Sequence, residues 1–351
     1  MESNMLNFFR DKSIFVTGHT GFKGAWLCRI LQHAGACVTG YALAPERGAA
    51  YGAIVDNKSL VSHIGDIRDF DSLKVAYDAA HPEIVLHLAA QPLVLDAYER
   101  PMYTFETNVQ GTVNLLECVR MSGGACSVVV VTTDKVYRSN EQTRGYRESD
   151  TLGGAEPYSA SKACAELAAD AYAASFLRPQ GAALSTARAG NVIGGGDIAK
   201  NRIVPDCVRS AQRGEAIIVR NPRSVRPYQH VLEPLFAYLL IAKEQYENAA
   251  SAGNYNVGPD ETDCVTTAEL ADIFCGEWGG GQSWRHMSNA NAPYESGVLK
   301  LDCAKMRSVF GWRPVLDVRR AVAMTVEWEK AADKPGITDT QIDEYAKEFM
   351  K

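Results

Sequence analysis

Residues 13–27 read SIFVTGHTGFKGAWL, and this stretch decides the fold. Its first part, to Gly18, has the short apolar run of a buried strand. From Gly24 to Gly35 the spacing is helical, with Gly35 as the stop. Between them Gly18, Gly21 and Gly24 form GxxGxxG. Glycine permits a tight turn and lets the backbone approach a pyrophosphate, which then rests on the helix N-terminus. The spacing is not the GxGxxG of the simplest dinucleotide fingerprint, and glycines alone would describe an ordinary tight turn. The position, opening the chain's first strand–helix unit, favours a phosphate loop. Thr20, Phe22 and Lys23 lie in the same loop and share that expectation.

Working outward, CVTGYAL (37–43) and EIVLHLAA (83–90) read as further strands, and residues 104–123 as a long helix ended by Gly123. VVVV (128–131) reads as a strand buried on both faces, followed by TTDK at its end. Residues 158–176 form an alanine-rich helix. Strands alternating with helices predict right-handed crossovers and an α/β, doubly wound, parallel Rossmann-type sheet. From about residue 190 the texture changes to GNVIGGGD (190–197) and SVRPYQHVLEP (224–234). The expected organisation is a dinucleotide-binding domain over 1–189 carrying the catalytic residues. A smaller C-terminal substrate-binding lobe covers 190–351, partly interleaved with the first.

The chain has 351 residues, 46% hydrophobic and 22% charged, so disordered and fibrous classes drop out. A net charge of −6 offers no basic footprint for nucleic acid. No apolar run approaches the roughly 20 residues of a membrane span. Nine scattered cysteines without CxxC spacing, and no secretory segment, read as reduced thiols, mostly core, in a cytoplasmic protein. No metal site is expected.

Tyr158 and Lys162 form YxxxK, and residues four apart share a helix face. A lysine ammonium beside a phenol favours the phenolate, moving a base of reference pKa near 10 towards neutral pH. Such a tyrosine can take the proton of a substrate alcohol while hydride leaves the same carbon. The second strand ends in Tyr41 and Ala42 where an acid for the adenosine ribose is usual, with Glu46 only later, which leaves NAD and NADP both open. Asp66 in GDIRD stands at a third strand end, placed to accept from an adenine amino group. His87, inside a strand, reads as a satisfied buried histidine.

GxxGxxG, LHLAA (86–90), Asn108 in TNVQGT, YxxxK and FGWRPVLDV (310–318) together resemble the extended short-chain dehydrogenase/reductase family over nearly the whole chain. Within it, TTDKVY, RAGNVIGGGD and VRPYQHVLEPL are similar to the nucleotide-sugar 4,6-dehydratases, and Asp134–Lys135, Lys23 and Trp26 to the group acting on CDP-glucose. The resemblance implies a bound NAD, tightly held and regenerated each turnover, with Ile67, Leu88, Ala89, Ala90 and Asn108 joining the cofactor site. It implies Tyr158 as base and Thr133 as hydrogen-bonding partner for oxidation at C4 of the sugar. Asp134 then serves as acid for the leaving C6 hydroxyl and Lys135 as base at C5. Asp134 also opposes the neutral form a basic lysine needs, so a salt-bridged, orienting Lys135 stays open. Gln91, Asn191, Arg202, Arg220, Arg226 and His230 are implied on the nucleotide-sugar side. LDAY (95–98) departs from the basic or Arg-Ser residues usual there, which loosens the substrate assignment. A homodimer is implied, through helices near 104–122 and 158–176, with Ala165, Ala168, Ala169 and Ala173 allowing close approach, and packing against the sheet explains the same alanines nearly as well.

Overall fold

The computed structural model describes residues 5–139, 142, 144–287 and 298–349. In chain order, strand β1 (Ser13–Thr17) leads into helix α1 (Phe22–His33), β2 (Cys37–Ala42), α2 (Ala50–Ile54), β3 (Leu60–Ile64) and α3 (Phe70–Ala80). Next come β4 (Ile84–His87), α4 (Val94–Glu99), α5 (Pro101–Phe105), α6 (Gly111–Ser122), β5 (Ser127–Val131), α7 (Pro157–Tyr172) and β6 (Ala183–Ala189). The long helix expected over 104–123 is interrupted, because Glu106–Gln110 is a π-helical turn holding Asn108. Such single-turn irregularities often mark functional positions.

Short strands β7 (Val192–Ile193), β8 (Ile217–Val219), β9 (Val225–Arg226) and β10 (Gln229–His230) surround α8 (Ile203–Gln212) in the second half. Helix α9 (Leu232–Glu247) and β11 (Asn254–Val257) follow, then β12 (Val265–Thr266), α10 (Thr267–Trp278), β13 (Trp284–His286), α11 (Ala304–Phe310), α12 (Val318–Lys330) and α13 (Lys334–Phe349).

Seven parallel strands form the main sheet in the order β11-β6-β5-β4-β1-β2-β3. Strand β5 is buried at all five positions, and its valines divide by the two-residue period of a strand. Val129 and Val131 join a core with Trp26 of α1 and Leu235 of α9. Val128 and Val130 join the opposite core with Leu115 of α6 and Leu73 of α3. Each such side chain contributes about 1.5–3 kcal/mol by leaving water. The valine run is thus explained by helices on both faces.

Elements after residue 190 serve two places. A separate core unites Val204 of α8, Ile217 of β8, Phe274 of α10 and Val322 of α12. Strand β11, however, pairs with β6 in the main sheet, and α9 covers that sheet beside β5. Among the described residues no helix is long and apolar enough to cross a membrane. Four of the nine cysteines are buried and two are exposed, so they are less core-bound than the sequence suggested.

Strand order reverses at β1, whose neighbours β2 and β4 feed connections on opposite sides. The loops leaving the carboxyl ends of β1 and β4 separate there, which opens the crevice where such sheets bind ligands.

Candidate active site

The phosphate loop is built by close packing. Gly18 has φ +76°, and a Cβ on it would lie 2.7 Å from the Ala89 backbone nitrogen. A Cβ on Gly24 would sit 2.0 Å from the Gly18 carbonyl oxygen, so turn and helix meet without room for side chains. At Gly21 the nearest atom is Gly18 O at 3.4 Å, and the space beyond is open. Gly21 is the N-cap of α1 and gives no side-chain cap, leaving the first amides of a 12-residue helix available to an anion. Those amides and that space fit a dinucleotide pyrophosphate.

Several expected cofactor residues act through their neighbours. Thr20 donates to Leu43 O at 2.8 Å, tying the loop to the end of β2. The Asp66 carboxylate accepts from the Arg68 guanidinium and backbone amide, and those hydrogen bonds hold it below its usual range. Ile67 is buried against Gly111 of α6. Leu88, Ala89 and Ala90 form the facing loop, where Ala89 N donates to Thr17 Oγ1 at 3.2 Å. His87 shares hydrogen bonds with Thr17 and Thr112 and is a satisfied core residue.

Asn108 is 1% exposed and links two halves of the site. Its Oδ1 accepts from Gln91 N at 2.8 Å, and its Nδ2 donates to Gln91 O at 3.1 Å and to Ser161 Oγ at 2.9 Å. Ser161, which sequence reading passed over, donates in turn to Tyr158 O at 2.7 Å. Gln91 was expected on the sugar, but its amide is folded into its own loop, donating to Leu93 O and Thr104 Oγ1 and accepting from Leu93 N.

Tyr158 stands in the first turn of α7, behind Pro157 at the first helical position. Glu156 caps that turn by accepting from Tyr158 N and Ser159 N, so the phenol's origin is fixed. Tyr158 and Lys162 are both buried. Lys162 lies one helical turn beyond Tyr158, and its ammonium donates to Val131 O at 3.1 Å. Burial pushes Tyr158 up to about 12, opposed by a hydrogen bond with Thr133 and by the charge of Arg202. Burial pushes Lys162 down to about 8, opposed by Glu166.

Thr133, Asp134 and Lys135 follow one residue after β5, the last two in a 3-10 turn. The Thr133 hydroxyl donates to Asp134 Oδ1 at 3.0 Å. Asp134 Oδ2 is buried and lacks a hydrogen-bond partner among the described residues. It faces Gly190, where a Cβ would stand 3.3 Å from Oδ2 and 2.6 Å from Pro227 Cγ. Bare backbone at 190 therefore keeps space in front of the carboxylate. An unpaired buried carboxylate is costly and calls for a ligand or a role. Lys135 is partly buried, and among the described residues no carboxylate lies within ion-pair distance of its ammonium.

Lys23 turns inward. Its ammonium is 3.5 Å from Tyr238 OH of α9, and burial, with the nearby charges of Lys162 and Arg202, pushes it down to about 7. It thus lies near Lys162, Arg202 and Asp134. Trp26 donates to Gly195 O at 2.9 Å and pins the glycine-rich loop against α1.

The substrate-side residues divide. Asn191 is partly exposed after β6, and its carbonyl accepts from Gln229 N. Arg202 pairs with Asp197 at 2.9 Å and lies close enough to influence Tyr158 and Lys23. Arg226 is buried on β9. Arg220 sits just beyond β8, partly buried and paired with Asp206 at 3.4 Å. His230 is buried, edge-on to Trp26, with Nε2 unpartnered among the described residues. A 690 Å³ cavity lined by Arg147, Glu148, Asp170, Asp302 and Lys305 among others contains none of the expected site residues.

The profile of the NAD dependent epimerase/dehydratase family matches residues 14–258. The sequence is 46% identical over 332 residues to CDP-glucose 4,6-dehydratase of Salmonella typhimurium, covering 93% of this chain and 92% of that protein. Among solved structures, dTDP-glucose 4,6-dehydratase of Bacillus anthracis in complex with NAD superimposes with a TM-score of 0.77 at 22% identity, covering 92% of this chain and 98% of that one. UDP-glucose 4-epimerase of Thermus thermophilus in complex with NAD gives 0.79 at 24% identity, covering 91% and 99%.

Proposed function

The chain belongs to the NAD dependent epimerase/dehydratase family, and we propose that it is a nucleotide-sugar 4,6-dehydratase, an NAD-dependent hydro-lyase that converts CDP-D-glucose to the 4-keto-6-deoxy sugar and water. The observation that carries this reading is Asp134, whose buried, unpartnered oxygen lies beside Tyr158 and Thr133. A 4-epimerase needs Tyr158, Lys162 and Thr133 but has no use for an acid at 134.

The uncapped amides of α1, the space at Gly21 and the loop at Leu88–Ala90 would hold the dinucleotide, with Lys162 a further candidate to hold it. NAD bound there supplies the acceptor of the C4 hydride and its return to C6. Tyr158, helped by Thr133, takes the C4 hydroxyl proton. The new ketone acidifies C5, and Lys135 removes that proton. Asp134 protonates the departing C6 hydroxyl, and Lys135 returns the proton to C5. Arg202 and Arg226, with Asn191, are the candidates for the pyrophosphate and nucleotide, and arginine forks suit phosphate oxygens.

The same reading includes a homodimer. Ala165 and Ala169 are buried within the chain itself, which favours internal packing as the reason for those two alanines. Exposed apolar side chains stand instead on α4 (Tyr98), α5 (Met102, 74% exposed, and Phe105) and α7 (Leu167, 59%), and suit contact with a second copy. The cysteines, none in a disulfide, suit a reducing compartment such as the cytoplasm.

The test is incubation with CDP-glucose, dTDP-glucose, GDP-mannose and UDP-N-acetylglucosamine separately, followed by mass spectrometry. Loss of one water from CDP-glucose ahead of the others is expected. Every sugar intact with NAD supplied would sink the proposal.

A further inference from the structure

Oxidation at C4 and elimination across C5 and C6 act on adjacent carbons, so the residues for the two steps tolerate little relative movement. They sit on different elements: Tyr158 and Lys162 on α7, and Thr133–Lys135 at the end of β5. One buried carboxylate spans the two. Glu166, one turn beyond Lys162 on α7, accepts from the hydroxyl of Thr132, the residue immediately before Thr133.

Glu166 is fully buried and so is its partner Arg188 of β6, with relative exposures of 0% and 1%. Arg188 Nε donates to Glu166 Oε1 at 3.0 Å and Nη2 to Oε2 at 2.9 Å, a two-pronged pair. Thr186 adds a third neighbour, donating to Oε2 at 2.7 Å. The other arm of Arg188 donates to Tyr137 OH at 2.9 Å. Tyr137 donates to Asn256 Oδ1 of β11 at 2.5 Å and stacks on Tyr146 with ring centroids 5.0 Å apart. The pair therefore grips the catalytic turn at both ends, at Thr132 before it and Tyr137 after it.

Replacing such a pair by apolar residues is often neutral or stabilising, so stability alone is a weak reason for it. We propose that Glu166 and Arg188 are positioning residues, which lock the strand end bearing Asp134 and Lys135 to the helix bearing Tyr158 and Lys162 so that oxidation and elimination act on one sugar without a pause. The proposal rests on the dehydratase reading, and neither residue touches the reacting atoms.

Thr132→Val removes the link and keeps both shape and ion pair. Glu166→Gln removes the charge. Thr132→Ser restores the hydroxyl. With NAD and CDP-glucose, wild-type protein should complete each cycle with little reduced cofactor standing. Thr132→Val should lose at least about 10-fold in kcat with KM within about 3-fold, while absorbance at about 340 nm accumulates. Glu166→Gln should do the same or more, and Thr132→Ser should return to within about 3-fold of wild type. Amide hydrogen exchange over residues 132–137, read by mass spectrometry, should quicken by at least about 5-fold in Thr132→Val, whatever the substrate proves to be. Wild-type turnover in Thr132→Val, a loss without accumulated reduced cofactor, or unchanged exchange over 132–137 would each overturn the positioning role. A wild-type protein inert towards CDP-glucose would overturn the substrate reading, and the exchange measurement would still decide the positioning role.

Discussion

The Thr133 hydroxyl donates to Asp134 Oδ1 at 3.0 Å, and the second carboxylate oxygen is left buried without a partner among the described residues. One oxygen is thereby oriented and the other presented. Asp134→Asn keeps the shape and removes the acid. C4 oxidation should survive, dehydration should slow by about 10²–10⁴-fold, and reduced cofactor should accumulate on addition of CDP-glucose. Full turnover in this variant, measured by water loss, would exclude Asp134 as the acid.

Lys162 gives a prediction on pH. Burial lowers its pKa from 10.5 to about 8. The unfolded lysine keeps its proton up to about 10.5, so between pH 8 and 10.5 the unfolded chain binds more protons. The Lys162 contribution to stability therefore rises with pH across that window, and the penalty is complete below pH 8. The shift corresponds to about 3 kcal/mol. Lys162→Met should be the more stable protein at pH 7, with the gap narrowing towards pH 10.5, and should have lost turnover. Urea titrations of the cofactor-free protein at several pH values provide the measurement.

Glu233 titrates in the opposite sense. It is buried at the start of α9, where it accepts from Val315 N, Leu316 N and Tyr345 OH. Burial raises it to about 7, outweighing those hydrogen bonds. Between pH 4.5 and 7 the folded state holds the extra proton, so this contribution to stability is full below 4.5 and lost as pH rises through 7. Glu233→Gln should be more stable than wild type by about 3 kcal/mol at pH 8, with no difference below pH 4.5. Equal stability at pH 8 would place the charge in a better-solvated environment than the fold suggests.

The exposed apolar side chains on α4, α5 and α7 predict assembly. Sedimentation of the wild type should give a dimer, and Leu167→Glu, at a 59% exposed position, should give a folded monomer. A wild-type monomer at micromolar concentration would remove the proposed dimer.

Much of this was readable in advance where the signal is local. The glycine loop, the buried valine strand and the Tyr158–Lys162 spacing each lie within one element and its turn. The rest depends on residues far apart in sequence. Glu166 meets Thr132 across 34 positions and Arg188 across 22, and each alone reads as an ordinary charged residue. A glutamine after a strand gives no hint that its amide will fold into its own loop, as that of Gln91 does. Alanines distributed around α7 do not say which side meets the sheet, and packing turned Ala165 and Ala169 inward. Interleaving of the C-terminal half was expected, but which strand returns to the main sheet was not legible, because the four residues of β11 carry little pattern.

The central claim is that hydride leaves C4 and returns to C6 of the same sugar. CDP-glucose carrying deuterium at C4, turned over with catalytic NAD, tests it directly. The account predicts one deuterium at C6 of the 4-keto product, with one water lost. Deuterium retained at C4, with the sugar intact or epimerised, would contradict it.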